Sequence, residues 1–384
     1  MSNQRTPEPL AVPDDPIARA RLAANRFGFD YRTEARRLGK PPVPIIDAHC
    51  HINGPSAARV MLDAMNTYGV ERVYSQTQLP AHEAVRDAMG DRARFIAVPT
   101  YGSDDLGYAM RQGLLDQLPE WHERGARCLK LWTAPRLRDS IEDAGLDADE
   151  IATLESPWRR RIMDRASELG MMLMVHIADP DTWFATSYAD SRKYGTKRDQ
   201  YAAFERMLDV YRQPWMAAHM GGWPEDLGFL TGLLERHDNL ILDTSATKWM
   251  VRELSKHPRD EFVGFLERFA GRILFGSDIV ASDEHLEATD PNSPRFGATL
   301  ASSPDDAFNL YASRYWALRT MYETDYRGES NIADPDLAMV EPDGYNALSA
   351  PQLVGQHLPE DLLKVLYRGA AEQTLDAWYQ RDGS

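Results

Sequence analysis

The sequence predicts an α/β fold: a (β/α)8 TIM barrel with an N-terminal extension and long loops on its catalytic face. Three observations predict it. Eight short apolar, β-branched runs recur along the chain, each followed by a helix-like segment. Polar residues suited to catalysis sit at the carboxyl ends of those runs, the ends that a barrel gathers on one face. The 384 residues exceed the roughly 250 of a core barrel, which leaves material for loops above it. A doubly wound open sheet shares the alternation but does not account for where the polar residues fall.

Residues 1–42 read as a helical extension, with a helix predicted across "IARARLAANRFGFDYRTEARRLG" (17–39), and residues 43–384 as the barrel. Strand one is "VPIIDAHCHING" (43–54), in which Val43, Ile45 and Ile46 suggest a strand buried on both faces. Residues two apart on a strand share a face and stand about 7 Å apart. Two imidazoles so placed, His49 and His51, can reach one metal ion at about 2.0–2.1 Å per bond. Cys50 points to the opposite face, and Asp47 is expected on the histidines' face one layer deeper, as a support. The helix "SAARVMLDAMNTYG" (56–69) starts after Pro55 and ends in glycine. Strands two to four are "VERVYSQTQ" (70–78), "RFIAVPTYG" (94–102) and "ARCLKLWT" (126–133), the last carrying Lys130 at its end. After the helix "PWRRRIMDRASELG" (157–170) comes "MMLMVHIADP" (171–180), with His176. "WMAAHMGG" (215–222) carries His219, and the helix "PEDLGFLTGLLERHDN" (224–239) leads to "LILDTSAT" (240–247). "RILFGSDIV" (272–280) ends on Asp278, and a final helix is predicted over 359–380. Loops 134–156, 181–200 and 281–310 leave the catalytic end and are expected to roof the pocket, while 328–355 reads as an irregular excursion.

Bulk properties exclude several classes. Apolar residues make up 43% and charged residues 27%, the profile of a soluble globular protein. No apolar run approaches the roughly 18 residues needed to cross a bilayer, and the start lacks a signal-peptide layout. Two cysteines in so long a chain argue against a disulfide framework and fit a reducing cytoplasm. Lysine and arginine total 43 against 59 acids, a net charge of −16 that argues against nucleic acid as a partner. "WRRR" (158–161) reads as a solvated helix start.

In a barrel, His49, His51, His176, His219 and Asp278 converge on one pocket, which points to a shared metal site. The motifs "DAHCH", "VHIADP", "AHMGG" and "FGSD", in that order and each at a strand end, resemble the amidohydrolase superfamily. The resemblance is to the branch that includes aminocarboxymuconate semialdehyde decarboxylase, and it covers roughly residues 43–380. It implies one divalent metal held by the residues matching His49, His51, His176 and Asp278. It also implies that the residue matching His219 sits beside the metal and acts on the substrate, and it suggests a homodimer. Three imidazoles and a carboxylate suit Zn²⁺, with Mn²⁺, Fe²⁺ or Co²⁺ as alternatives. Asp278 is then the proton carrier, and His219 steers water or hydrogen-bonds a developing oxyanion.

Lys130, Trp132, Arg138, Trp183 and Arg314 are candidates for holding a substrate, arginine being well suited to a carboxylate. Lys130 could alternatively be carboxylated, as in binuclear relatives, or pair with an acid. Asp179 is expected to orient a ligand or cap a turn. His82, His122, His237, His257, His285 and His357 are read as having no catalytic part. The leading expectation is a hydrolase of a small carboxylated or cyclic ester or amide, such as a lactone, using a metal-activated water. A nonoxidative decarboxylase of an unsaturated or aromatic acid is the alternative, and a catalytically silent binding barrel is a third.

Overall fold

Every predicted strand forms, although strand eight forms in two pieces. The computed structural model describes residues 7–287 and 296–381. The strands are β1 (Ile45–Asn53), β2 (Val70–Ser75), β3 (Ala93–Phe95), β4 (Cys128–Trp132) and β5 (Met172–His176). They continue as β6 (Trp215–Ala217), β7 (Leu240–Asp243), β8 (Ile273–Leu274) and β9 (Ile279–Ser282). Their pairings are all parallel, in the orders β3-β2-β1-β9 and β4-β5-β6-β7-β8. Two seams join these sheets into a ring. At one, the Ala97 amide donates to the Cys128 carbonyl (2.8 Å) and the Lys130 amide to the Ala97 carbonyl (2.9 Å). At the other, the Ala48 and Asp278 amides donate to the Phe275 and His49 carbonyls, each at 2.8 Å. The fold is therefore the α/β barrel that the alternation predicts.

Alternation along each strand explains the packing. Met172, Met174, Met216, Ala218, Ile241 and Leu274 fill the interior with Ile46, Ala48 and Tyr74, and Ala370, Ala371 and Leu375 of the last helix close it below. Leu129, Leu131, Leu173, Val175, Ala217 and Leu242 belong to the outer core, between strands and helices. Burial on both faces is why these strands read as nearly continuous apolar runs. In β1 the pairing register with β2 shifts between Asp47 and Cys50. Ile46 and Ala48 thus face the interior below, while Cys50 and Ile52 join the outer core above. The shift corrects the expected place of Asp47: its carboxylate turns to Ser277 and to the Tyr315 hydroxyl, away from the histidines' face.

Other boundaries also differ from expectation. The extension holds two helices, Pro16–Leu22 and Tyr31–Leu38, rather than one. Asn25 breaks the run, because its side chain accepts from the Phe29 amide (2.8 Å) and donates to the Phe29 carbonyl (2.9 Å). Strand eight breaks at residues 275–278, where a Cβ on Gly276 would stand 3.0 Å from that of Ser245 and 3.2 Å from that of His49. The last helix contains two π-helical stretches, Val365–Gly369 and Glu372–Asp376, and the Leu366 carbonyl accepts from the Phe275 amide at the break. The excursion over 328–355 is not irregular throughout. It holds a short helix, Asp336–Val340, and is closed by an antiparallel pair, Arg327–Glu329 with Gln352–Val354. Part of the third roof loop, 288–295, lies outside the described residues. No helix among the described residues is long and apolar enough to cross a membrane.

Candidate active site

The upper register of β1 points both of its histidines into a cavity of about 740 Å³ at the carboxyl ends of the strands. One nitrogen each of His49 and His51 and one oxygen of Asp278 lie within 4.8 Å of one another. His49 Nε2 stands 3.2 Å and His51 Nε2 3.1 Å from Asp278 Oδ1. Asp278 reaches this point from the strand-eight break by adopting φ +57°. His219, Met220 and Ala246, at the ends of β6 and β7, are also left-handed. A non-glycine residue in that region costs free energy, and such residues concentrate where function fixes the geometry. Gly222, after β6, is obligatory, since a Cβ there would stand 2.2 Å from the Ala178 carbonyl oxygen.

A buried hydrogen-bond hub fixes the imidazoles from behind. Asp243, at the end of β7, accepts from the His49 ring at Nδ1 (2.9 Å) and from the backbone amides of His219 (2.9 Å) and Ser245 (3.0 Å). Ser245 Oγ bonds Asp243 Oδ1 and stands 2.9 Å from His49 Nδ1 and 2.7 Å from His219 Nδ1. A hydroxyl has one proton and two lone pairs, and a carboxylate only accepts. The Ser245 proton therefore goes to Asp243, and both rings carry their protons on Nδ1. That leaves Nε2 of His49 and of His219 with lone pairs. A second grouping of ligand-type atoms, His49, His219 and Asp243, is accounted for by these hydrogen bonds.

His49 Nε2 is the test of whether a metal fits. It is buried, it has no hydrogen-bond partner, and its contact with Asp278 lacks hydrogen-bond alignment. A buried acceptor left unpaired costs about 1–3 kcal/mol, and a cation between these atoms removes that cost. Two imidazole nitrogens and a carboxylate oxygen are the donors of a zinc-type site. His176 lines the same cavity but stands outside that trio, with its ring centroid 4.5 Å from that of His219. Its Nε2 bonds Asp179 (2.8 Å), so the remaining lone pair is on Nδ1. Asp179, which also accepts from the Tyr188 hydroxyl, thus orients His176 as expected.

Electrostatics follow from burial and from these partners. Burial opposes ionisation of Asp278, yet His49 and then His51, where they carry a proton on the side facing it, outweigh burial and hold the carboxyl well below its usual range. The same balance, with His49 and then His219 as partners, keeps Asp243 ionised. Burial, reinforced by His176, pushes His219 well below the usual histidine range, which keeps the ring neutral. Lys130 is buried in the wall of the same cavity, and desolvation lowers its ammonium to about 8 against the pull of Asp243 and Asp278.

Of the residues expected to meet a substrate, Lys130, Trp132 and Arg314 line the cavity. Arg138 does not: it pairs with Asp149 (3.0 Å) and Glu142 (3.6 Å). Trp183 does not line it either, since its indole donates to Asp336 (2.9 Å) outside the cavity. Arg136, Lys248 and Trp249 take those places instead, and sequence reasoning passed over all three. It also passed over Asp243 and Ser245, whose signal was two polar residues at the end of an otherwise apolar strand. None of the six histidines read as non-catalytic lines the cavity.

A sequence model of the amidohydrolase family matches residues 52–319, more than half of the chain. The chain belongs to the amidohydrolase family. The match takes in His176, His219 and Asp278 and begins one residue after His51. No curated protein sequence matches the chain. Among solved structures, an amidohydrolase from Burkholderia multivorans with bound zinc is 12% identical, with 86% of this chain and 99% of that one covered and a TM-score of 0.43. A 5-carboxyvanillate decarboxylase from Novosphingobium aromaticivorans, complexed with manganese and a nitrobenzoic acid, is 11% identical over 90% and 97% of the two chains (TM-score 0.43). An Agrobacterium tumefaciens protein is 14% identical over 71% and 94%, with a TM-score of 0.38. Likeness at this level is too slight to bear on the activity of this family member.

Proposed function

We propose that this amidohydrolase-family protein is a metal-dependent hydrolase of a small carboxylated or cyclic ester or amide. The observation that carries the reading is the convergence of His49 Nε2, a buried nitrogen with no partner, with His51 Nε2 and Asp278 Oδ1. His49, His51 and Asp278, with His176 through Nδ1, would hold the ion, and Zn²⁺ matches the donor set best. When bound, such an ion polarises a carbonyl and makes water acidic enough to act near neutral pH. His219, neutral and protonated on Nδ1, presents Nε2 as an acceptor that orients the attacking water. Asp278, ionised, takes a proton from that water and passes it to the leaving group. Lys130 offers the substrate a positive charge close to Asp278.

Decarboxylation of an unsaturated or aromatic acid is the second reading, favoured by the same buried Lys130 beside the trio, which suits a substrate carboxylate. Elemental analysis and a substrate panel test both. The protein should retain one transition metal per chain, and a panel of carboxylated lactones, amides and aromatic acids should yield ring-opened or cleaved products without CO2. Release of CO2 from an acid would replace the first reading with the second. A metal-free protein inert on the whole panel after growth with zinc or manganese would end both.

A further inference from the structure

The chain carries a net charge of −16, yet its cavity wall reverses that balance. Lys130, Arg136, Lys248 and Arg314 line the cavity, and Asp278 is the one carboxylate among the described lining residues. Lys130, at the end of β4, feels Asp243 and Asp278, whereas Lys248 lies in the first turn of the helix Thr247–Leu254 after β7 and Arg314 lies on the helix Pro304–Glu323. Among the described residues neither Lys248 nor Arg314 pairs with an acid, and Arg314 donates only to Leu310 and Ser313 of its own helix. The acids whose fields reach Lys248 are Asp334 and Asp336. Both are already engaged. Asp334 accepts from Arg252, and Asp336 accepts from Arg252 (3.2 Å) and from the Trp183 (2.9 Å) and Trp249 (3.0 Å) indoles. Two half-buried cations therefore line one cavity and repel each other, and Lys248 is pushed down to about 8 by burial and by Arg314. Trp249, next to Lys248 in the chain, packs edge-on against His176 and His219, with centroids 6.0 and 5.5 Å away. Trp249 thus lines the cavity with an apolar ring that lies against the histidines and is adjacent in the chain to Lys248.

Resting on the reading of this cavity as the substrate site, we propose that Lys248 and Arg314 form an anion seat for a substrate carboxylate that does not reach the metal. The substrate is then a flat dicarboxylate, with one anionic group at the Lys130 and metal end and the other in this seat.

The test is calorimetric titration of the zinc-loaded protein with benzoate and with phthalate, isophthalate and terephthalate, three separations of two carboxylates. The tightest dicarboxylate should bind at least about tenfold more tightly than benzoate, the scale of one charge-assisted contact. Lys248→Gln and Arg314→Gln should each remove about that factor for the dicarboxylate and leave benzoate within about twofold, and Arg314→Lys should restore part of it. Benzoate and all three dicarboxylates binding alike would overturn the seat, as would a preference unchanged in Lys248→Gln. Should Arg314→Gln fail to fold, the Lys248→Gln comparison decides alone. Metal content is measured on the same samples: a protein that retains no zinc sinks the catalytic reading, while the dicarboxylate preference of that protein still judges the seat.

Discussion

Ser245 has one proton to give and two lone pairs to offer, and all three are committed within the hub. Ser245→Ala frees the Nδ1 side of His219 and leaves Asp243 as the one partner at His49 Nδ1, so metal affinity should fall about 10-fold, the lower end of the usual cost of losing a group that orients a ligand. Competition against a chromophoric chelator measures this, and an unchanged affinity would remove the hub from the design. Asp278→Asn keeps the shape and discards the proton carrier. Metal should remain while turnover drops about 10²–10⁴-fold. A metal-saturated variant within tenfold of wild type would refute the assignment. His285, buried against the Tyr311 hydroxyl at 2.8 Å, has its pKa lowered by burial from 6.5 to about 4. The neutral ring is the folded form, so the stability it contributes is complete above 6.5 and is lost as pH falls towards 4. The melting temperature should fall over that window, and less steeply in His285→Gln; equal slopes would contradict the account. Much of the site was legible at this scale, because histidines at strand ends announce themselves through a period of two. What was hidden depended on a direction that sequence spacing does not carry. Arg136 and Arg138 sit two residues apart on one helix, about 200° around its axis, so only one of them can face the cavity.

At the level of elements, apolar runs bounded by glycine and proline made the strands readable, and their two-sided burial kept the signal strong. The breaks were harder to read, because they depend on contacts made from elsewhere in the chain. At the break in strand eight Gly276 leaves no room for a side chain beside Ser245 and His49, and the N-terminal helix yields to the side-chain bonds of Asn25. The helix Asp336–Val340 acts as a latch across the roof. Through Asp336 it holds the Trp183 indole of the strand-five loop and the Trp249 indole and Arg252 of the helix after β7. Asp336→Ala leaves two part-buried indole donors without their acceptor, while Arg252 keeps Asp334 and Glu253, and should cost about 1–3 kcal/mol, the scale for polar groups left unsatisfied. Urea denaturation measures that loss, accompanied by a red shift of tryptophan emission. A loss below about 1 kcal/mol would make the latch incidental.

The molecule as a whole is two parallel sheets sewn together at two seams, with the candidate ligands drawn from both. His49, His51 and Asp278 stand on the four-stranded side, while His176 and His219 stand on the five-stranded side. An ion held by both sides ties them together only in the folded state. Metal at about 1,000 times its dissociation constant should therefore stabilise the fold by about 4 kcal/mol. Scanning calorimetry with and without a chelator tests this, and coincident melting curves would exclude a bridging ion. The eightfold rhythm and the net charge were open to counting, but the reversed charge of the cavity was not, since Lys248 and Arg314 are brought together only by closure of the ring. The break in strand eight also sets an order of maturation. A chain emerging from the ribosome has exposed His49 and His51 long before Asp278 exists, and Asp278 is placed only when its amide docks on the His49 carbonyl. In the proposed site the last ligand would arrive with the closing of the second seam, so ion capture would await a finished barrel. The choice of metal would then fall to completed geometry rather than to the first ion that a half-made chain encounters.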